Sequence, residues 1–269
     1  MKSEVFNGQR FWSYFKYDAT QMWRNHIKAA VGIGLSGLFF YFVAIFFGLI
    51  AGDGWDGPNI ATRFMVFIMA FTVLELYQTR TYGYLTDRRR GSAWLMVPAS
   101  AFEKWLSMLL MTLIVVPLAF LLVFFASDAL LALVDPTVGN SMLASIAGGM
   151  TDVMDELLRV NGEYDTDWTL WMLAPTFFLG FCCNYLFFLL CGLVFRKYKI
   201  MGGFLIILGL SMLLSLCASF LFIENTEWEM MEENLDVVRH SLHVFNGVTA
   251  LIAAGLAGGI FWRIKTLKH

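Results

Sequence analysis

Six long apolar stretches, at Ala29–Ile50, Ile60–Thr79, Trp105–Ser127, Thr169–Phe195, Ile200–Ile223 and Ser241–Trp262, leave this chain few folds to adopt. Each is close to or above the roughly 20 residues with which a helix crosses about 30 Å of hydrocarbon. None alternates apolar and polar residues over about ten positions, as a membrane β-strand does, so the stretches read as helices. A composition that is 58% hydrophobic, with mean hydropathy +0.65, departs from that of a soluble domain in the same direction. The first stretch is too long for a signal-peptide core and no small-residue cleavage site follows it, so it is expected to stay in the membrane. The expected fold is an all-α membrane protein with six transmembrane helices over 29–269, preceded by a cytoplasmic interfacial helix in 1–28.

Charge orients the spans. Segment 1–28, the linkers 80–104 and 196–199 and the tail after Trp262 together hold 16 of the 19 Lys and Arg residues. The other three linkers hold only Arg159 and Arg239, yet 16 of the 21 acids. Loops rich in Lys and Arg stay in the cytoplasm, so both termini are expected inside, as an even number of spans requires.

The linkers carry further pattern. Phe11, Trp12, Phe15, Ala19, Met22 and Trp23 recur at helical spacing opposite Ser13, Lys16, Asp18, Gln21 and Arg24, which describes a helix in the membrane interface. It serves either as a plain anchor or as a docking element for a cytoplasmic partner. In the acidic outer segment 128–168, Leu143, Ile146, Ala147, Met150, Met154, Leu157 and Leu158 predict a helix. The second acidic outer segment, 224–240, repeats the pattern with Trp228, Met231, Leu235 and Val238. Such acids solvate an outward face or draw a cationic substrate to it.

Within the spans, Gly255 with Gly259 and Gly32 with Ser36 are small-residue pairs suited to close helix contact, and Pro117 and Pro175 are candidate kinks. Cys182, Cys183, Cys191 and Cys217 all fall in spans four and five, where packing is their expected role. Arg63 lies near the outer edge of span two, within reach of the interface by snorkelling. Glu75 lies about one turn from the inner edge. Gln78, Arg80 or a neighbouring helix could satisfy it, or it belongs to a gate or substrate path.

Catalytic patterns are missing. The sequence has no GxxxxGK[ST] phosphate loop, no GxSxG elbow and no HExxH pair. His240 and His243 stand three apart near Glu232 and Glu233, without the spacing of a zinc site. No metal or cofactor is expected on the chain.

The most distinctive segment runs from Asp87 to Lys104. Arg88, Arg89 and Arg90 form a basic cluster, and Gly91 separates it from a short apolar run, Trp94–Val97, that is too brief to span. Pro98 ends the run, and Ser100-x-x-Glu103 reads as a capping box that opens span three. Trp94, Leu95 and Met96 are expected as an apolar knuckle exposed beside charge, a surface that calls for a partner or the membrane.

Arg90, Gly91, Ser92, Leu95, Pro98, Ala99, Ser100, Glu103 and Lys104 resemble the loop between spans two and three of ABC-2-type transporter permeases. The layout is similar too: an interfacial N-terminal helix, six spans and both ends cytoplasmic. The long outer segment 128–168 departs from it. The resemblance implies a bacterial inner-membrane exporter subunit that pairs with a second permease, as a homodimer or heterodimer, and docks a separate ATP-binding cassette ATPase. ATP and Mg would sit on that partner, and no nucleic-acid partner is expected. It also implies that linker 80–104 is the coupling loop, with Trp94, Leu95 and Met96 as the apolar contact, Arg88–Arg90 as its rim, and Glu103 and Lys104 as the link to span three. Two other classes fit the sequence: a non-transporting scaffold or immunity-type protein acting through its acidic outer helices, and an intramembrane hydrolase using Glu75 or the His240/His243 region.

Overall fold

The computed structural model describes residues 6–52, 57–86, 91–92, 94, 96–148, 167–209, 212 and 235–267. Among them every regular element is helical. The main helices are α1 (Gly8–Gly34), α2 (Ser36–Ala51), α3 (Ile60–Thr81), α4 (Ala101–Leu110), α5 (Val116–Val134), α6 (Asp167–Val194), α7 (Lys199–Gly209) and α8 (Leu235–Thr266). Among the described residues four continuous helical segments are long and apolar enough to cross a membrane, and a fifth is counted if the bent pair α1–α2 is one span. These helices are compatible with an integral multi-pass membrane protein. Most of the predicted span Ile200–Ile223 beyond α7 lies outside the described residues, as do residues 149–166 of the acidic segment 128–168 and most of the acidic segment 224–240.

The chain divides into two compact units, residues 1–77 with 106–164 and residues 78–105 with 165–269. In the first unit, Asn7 caps α1 by accepting from the N–H groups of Gln9 and Arg10 at 3.0 and 3.3 Å. The helix then runs unbroken through the predicted interfacial segment into the first apolar stretch. It turns by 49° at Leu35. The sequence there is Gly34-Leu35-Ser36-Gly37, and small residues of this kind are a recognised cause of sharp kinks. A Cβ on Gly34 would lie 2.8 Å from Cγ1 of Val123, so α1 approaches α5 more closely than any other residue allows. The predicted uninterrupted helix over Ala29–Ile50 is therefore two helices.

The protein-facing side of α1 also differs from expectation. Tyr14, Asp18 and Met22, spaced by four, are buried, whereas Trp12 and Trp23 face outward. Asp18 accepts a 2.7 Å hydrogen bond from Ser107 Oγ, and this partner allows a carboxylate on the packed face. The aromatic face is left for the surroundings, as an interfacial helix requires.

Between α4 and α5 the chain makes a π-turn, Met111–Val115. Pro117 follows two residues later and has no N–H to give the preceding turn. The wider turn is how this helix accommodates the proline without breaking. Around it, Phe67 of α3 meets Phe120, Phe124 and Phe125 of α5 with ring centroids 5.2–6.0 Å apart, an aromatic core at favourable separations.

In the second unit α6 packs along α8. Gly259 of α8 sits against Leu190, but Gly255 meets nothing within 4 Å, so only one member of the predicted small-residue pair is used in a contact. The tightest approach is elsewhere. A Cβ on Gly192 would lie 2.6 Å from the Thr79 carbonyl oxygen, which places the α6 backbone directly on the C-terminal end of α3.

Candidate functional site

The described part of the segment between α3 and α4 is folded rather than extended. Gly83–Thr86 forms a short 3-10 turn with Gly83, Leu85 and Thr86 buried, and Thr86 Oγ1 donates to the Gly83 carbonyl at 2.9 Å. Lys199, at the start of α7, clamps this turn. Its ammonium donates to the Gly83 carbonyl and, at 2.7 Å, to Thr86 Oγ1. Arg88, Arg89, Arg90 and Leu95 lie outside the described residues.

The chain resumes at Gly91, which is buried. Trp94 is only 6% exposed. The Lys104 ammonium sits 4.5 Å from the centre of the Trp94 ring and donates to the Trp94 carbonyl at 3.0 Å, so cation–π attraction and a charged hydrogen bond act on one residue. Trp94 is thus the base of the segment, not part of an exposed knuckle. The sequence places an indole beside charge without showing that this charge, ten residues on, would cover it. Met96 is 82% exposed, and with Pro98 it forms the outward tip.

The predicted capping box is present in both directions. The Ser100 N–H donates to Glu103 Oε2 at 2.8 Å, and the Glu103 N–H donates to Ser100 Oγ at 3.2 Å. The cap starts α4 one residue later. Trp105 Nε1 then donates to the Ala257 carbonyl of α8 at 2.9 Å, and its ring meets Phe261 edge-on. At the same end of α8, Arg263 Nε donates to the Leu193 carbonyl at 3.2 Å. Lys104, Trp105 and Lys199 thereby join this segment to α4, α8 and the start of α7, and among its described residues Met96 and Pro98 form an exposed tip.

A second polar cluster lies at the other end of α3, in the first unit. Arg63 is buried, and its Nη1 bonds Asp128 Oδ1 at 2.8 Å. Its Nη2 donates to the carbonyls of Val138 and Asn140 at 3.1 and 2.9 Å. The other Asp128 oxygen accepts from the Met142 N–H. Nearby, Tyr41 donates to Asp135 Oδ2 at 2.6 Å, and the N–H and hydroxyl of Thr137 donate to Asp135 Oδ1 at 2.9 and 2.7 Å. The enclosed space beside Arg63 is about 10 Å³, no more than one water occupies. This cluster pins segment 135–142 onto α3 and α5; it has no room for a substrate. Snorkelling, the expectation for Arg63, is replaced by a buried ion pair. The only hint in the sequence is that Asp128 directly follows span three.

Glu75 is half-buried and makes no hydrogen bond or ion pair with a described residue. The expected partner for it is not found there. Gln78 is fully buried, and neither of its amide atoms has a partner among the described residues. His243 is exposed at the start of the apolar part of α8, while Glu232 and Glu233, which complete the predicted cluster, lie outside the described residues.

No known protein-family model, curated protein or solved structure matches this chain.

Proposed function

We propose that this chain is the membrane-spanning permease subunit of an ATP-binding cassette exporter, driven by ATP hydrolysis on a separate ATPase subunit. The observation that carries the reading is the inner segment 83–105. Its described residues are braced together and present an exposed tip at Met96–Pro98, and they lead through a capped start directly into an apolar helical segment running from Ala101 to Val134. A push on that tip passes to α4 through the Lys104–Trp94 brace and to α8 through Trp105. A loop that merely joins two spans needs no such bracing. In this reading the chain has six spans with both termini in the cytoplasm, sits in a bacterial inner membrane, pairs with a second permease subunit, and leaves ATP and Mg to the ATPase.

The test is co-purification of the chain with an ATPase subunit encoded beside it, with Met96→Asp set against wild type. Replacing an exposed contact residue at the centre of an interface costs about 2 kcal/mol or more, roughly thirtyfold in affinity. Normal insertion with lost co-purification and lost stimulation of hydrolysis is the expected outcome. Unchanged binding by Met96→Asp overturns the assignment of the contact, and the lack of any ATPase partner overturns the exporter reading in favour of a scaffold.

A further inference from the structure

The 49° break at Leu35 opens a groove between the α1–α2 pair and α3. Its volume is about 440 Å³, within the range of small-molecule sites. The walls are apolar: Ala29, Gly32 and Ile33 on α1, Phe39 on α2, Met69 and Val73 on α3. The one polar group is the Ser36 hydroxyl, whose oxygen is buried and has no partner among the described residues.

The end of the groove nearest the α1 N-terminus is polar. His26 precedes Ala29 by one turn and Tyr77 follows Val73 by one turn, and His26 Nδ1 lies 2.8 Å from the Tyr77 hydroxyl. That hydrogen bond closes the floor between α1 and α3 just past the last apolar lining residues. Beside it, Arg24, Lys28 and Gly32 follow one another at intervals of four along α1, so the two cations line the approach to the groove. Both are exposed, and neither makes a hydrogen bond or ion pair with a described residue. Among the described residues no carboxylate pairs with them: Asp18, the one acid on α1, is turned onto Ser107.

We propose that this groove is a binding site for one anionic glycerophospholipid of the bilayer, with an acyl chain along Ala29–Ile33 and Met69–Val73 and its phosphate at Arg24 and Lys28. An apolar slot in a spanning unit is filled by what surrounds it, and surplus basic residues at its mouth select a negative headgroup. The juxtaposition cannot serve a free anion, which would find no polar lining beyond Ser36. Nor is it suited to a neutral lipid, which would leave both cations unused. Which leaflet supplies the lipid follows from the orientation proposed above; the site itself does not depend on that reading.

Native mass spectrometry of the purified chain, titrated with phosphatidylglycerol or phosphatidylcholine in mild detergent, tests the site. Wild type should hold one phosphatidylglycerol per chain in preference to phosphatidylcholine. Gly32 has open space where its Cβ would stand, so Gly32→Phe fills the groove without displacing a neighbour and should lower occupancy at least tenfold. Met69→Trp, at an outward-facing wall position, should do the same and replaces it if Gly32→Phe does not fold. Arg24→Gln with Lys28→Gln should keep lipid binding but lose the preference for phosphatidylglycerol, by about fivefold per charge. Equal binding of the two lipids by wild type overturns the proposal, and so does unchanged occupancy in the filled variants. Loss of a dimer mass in Gly32→Phe, with lipid occupancy unchanged, would give the groove to a second copy and also overturn it. None of these readings uses ATPase coupling, so failure here leaves the transport assignment untouched.

Discussion

At the scale of single residues, the molecule treats its charges according to whether a partner can be built. Arg63 and Asp128 are both buried, and together they satisfy two backbone carbonyls and one N–H around segment 138–142. Removing one member leaves the other charge alone in a medium that cannot solvate it. Asp128→Asn or Arg63→Met should therefore destabilise the protein by about 3–5 kcal/mol, read as a loss of thermal stability in detergent. The double variant Arg63→Met with Asp128→Leu should recover part of the loss, because no charge is then stranded. Equal loss in all three would show that the backbone contacts matter and the ion pair does not. Gly192 poses the same question sterically. Gly192→Ala must push aside the Thr79 backbone and should cost about 1–3 kcal/mol, while Gly255→Ala, in open space, should be neutral or slightly stabilising.

Elements differ in how far they can be read from sequence. The Ser100–Glu103 cap is legible because its donors and acceptors sit three residues apart in one helix turn. The extent of α3 is equally clear, as a long apolar run between polar flanks. The break at Leu35 is not, because hydropathy does not change there; the small residues around it permit a bend, but the close approach of Gly34 to Val123 joins residues far apart in the chain. Trp94 fails for the same reason. Its cover comes from Lys104 after the chain has folded back, so an indole that looks exposed in sequence is the floor of the segment. Trp94→Ala should accordingly act as a core truncation, costing about 3–5 kcal/mol and lowering thermal stability with or without any partner. Met96→Ala should leave stability within about 0.5 kcal/mol. The α1–α3 contact gives a pH-dependent counterpart. Burial lowers the pKa of His26 below its ordinary value near 6.5, so the neutral ring is the one that fits against Tyr77. Its contribution is complete above that pH and is lost as the pH falls toward the lowered folded-state value, since the unfolded chain takes up the proton first. His26→Gln should flatten the decline in thermal stability below about pH 6.5; an unchanged acid limb would assign that decline to carboxylates instead.

For the whole molecule, the proposed orientation rests on charge, whose uneven division between alternate linkers is visible without any structure. The fold adds sites at which to test it. Residue 139 looks like a natural place for a reporter in an outer linker, but Gly139 has φ 73° with ψ −146°, a backbone conformation that a side chain strains. Asn140 is the better choice, because it is exposed and contributes its carbonyl, which a substitution preserves, to Arg63. On the proposed inner side Met96 is an open position, at 82% exposure. Native cysteines would confuse the readout, although Cys182, Cys183 and Cys191 are wholly or partly buried, so all four are replaced by Ala or Ser. In that background Asn140→Cys should react with an impermeant thiol reagent applied to intact cells, and Met96→Cys should react only after the membrane is opened. Sixteen basic residues on one face set a strong bias against the reverse arrangement, so labelling of Met96→Cys from outside with protection of Asn140→Cys would refute the orientation. It would also remove the inner segment from reach of any cytoplasmic ATPase, and with it the exporter assignment. The Arg63–Asp128 lock and the apolar groove would stand, because neither depends on which side of the membrane it faces.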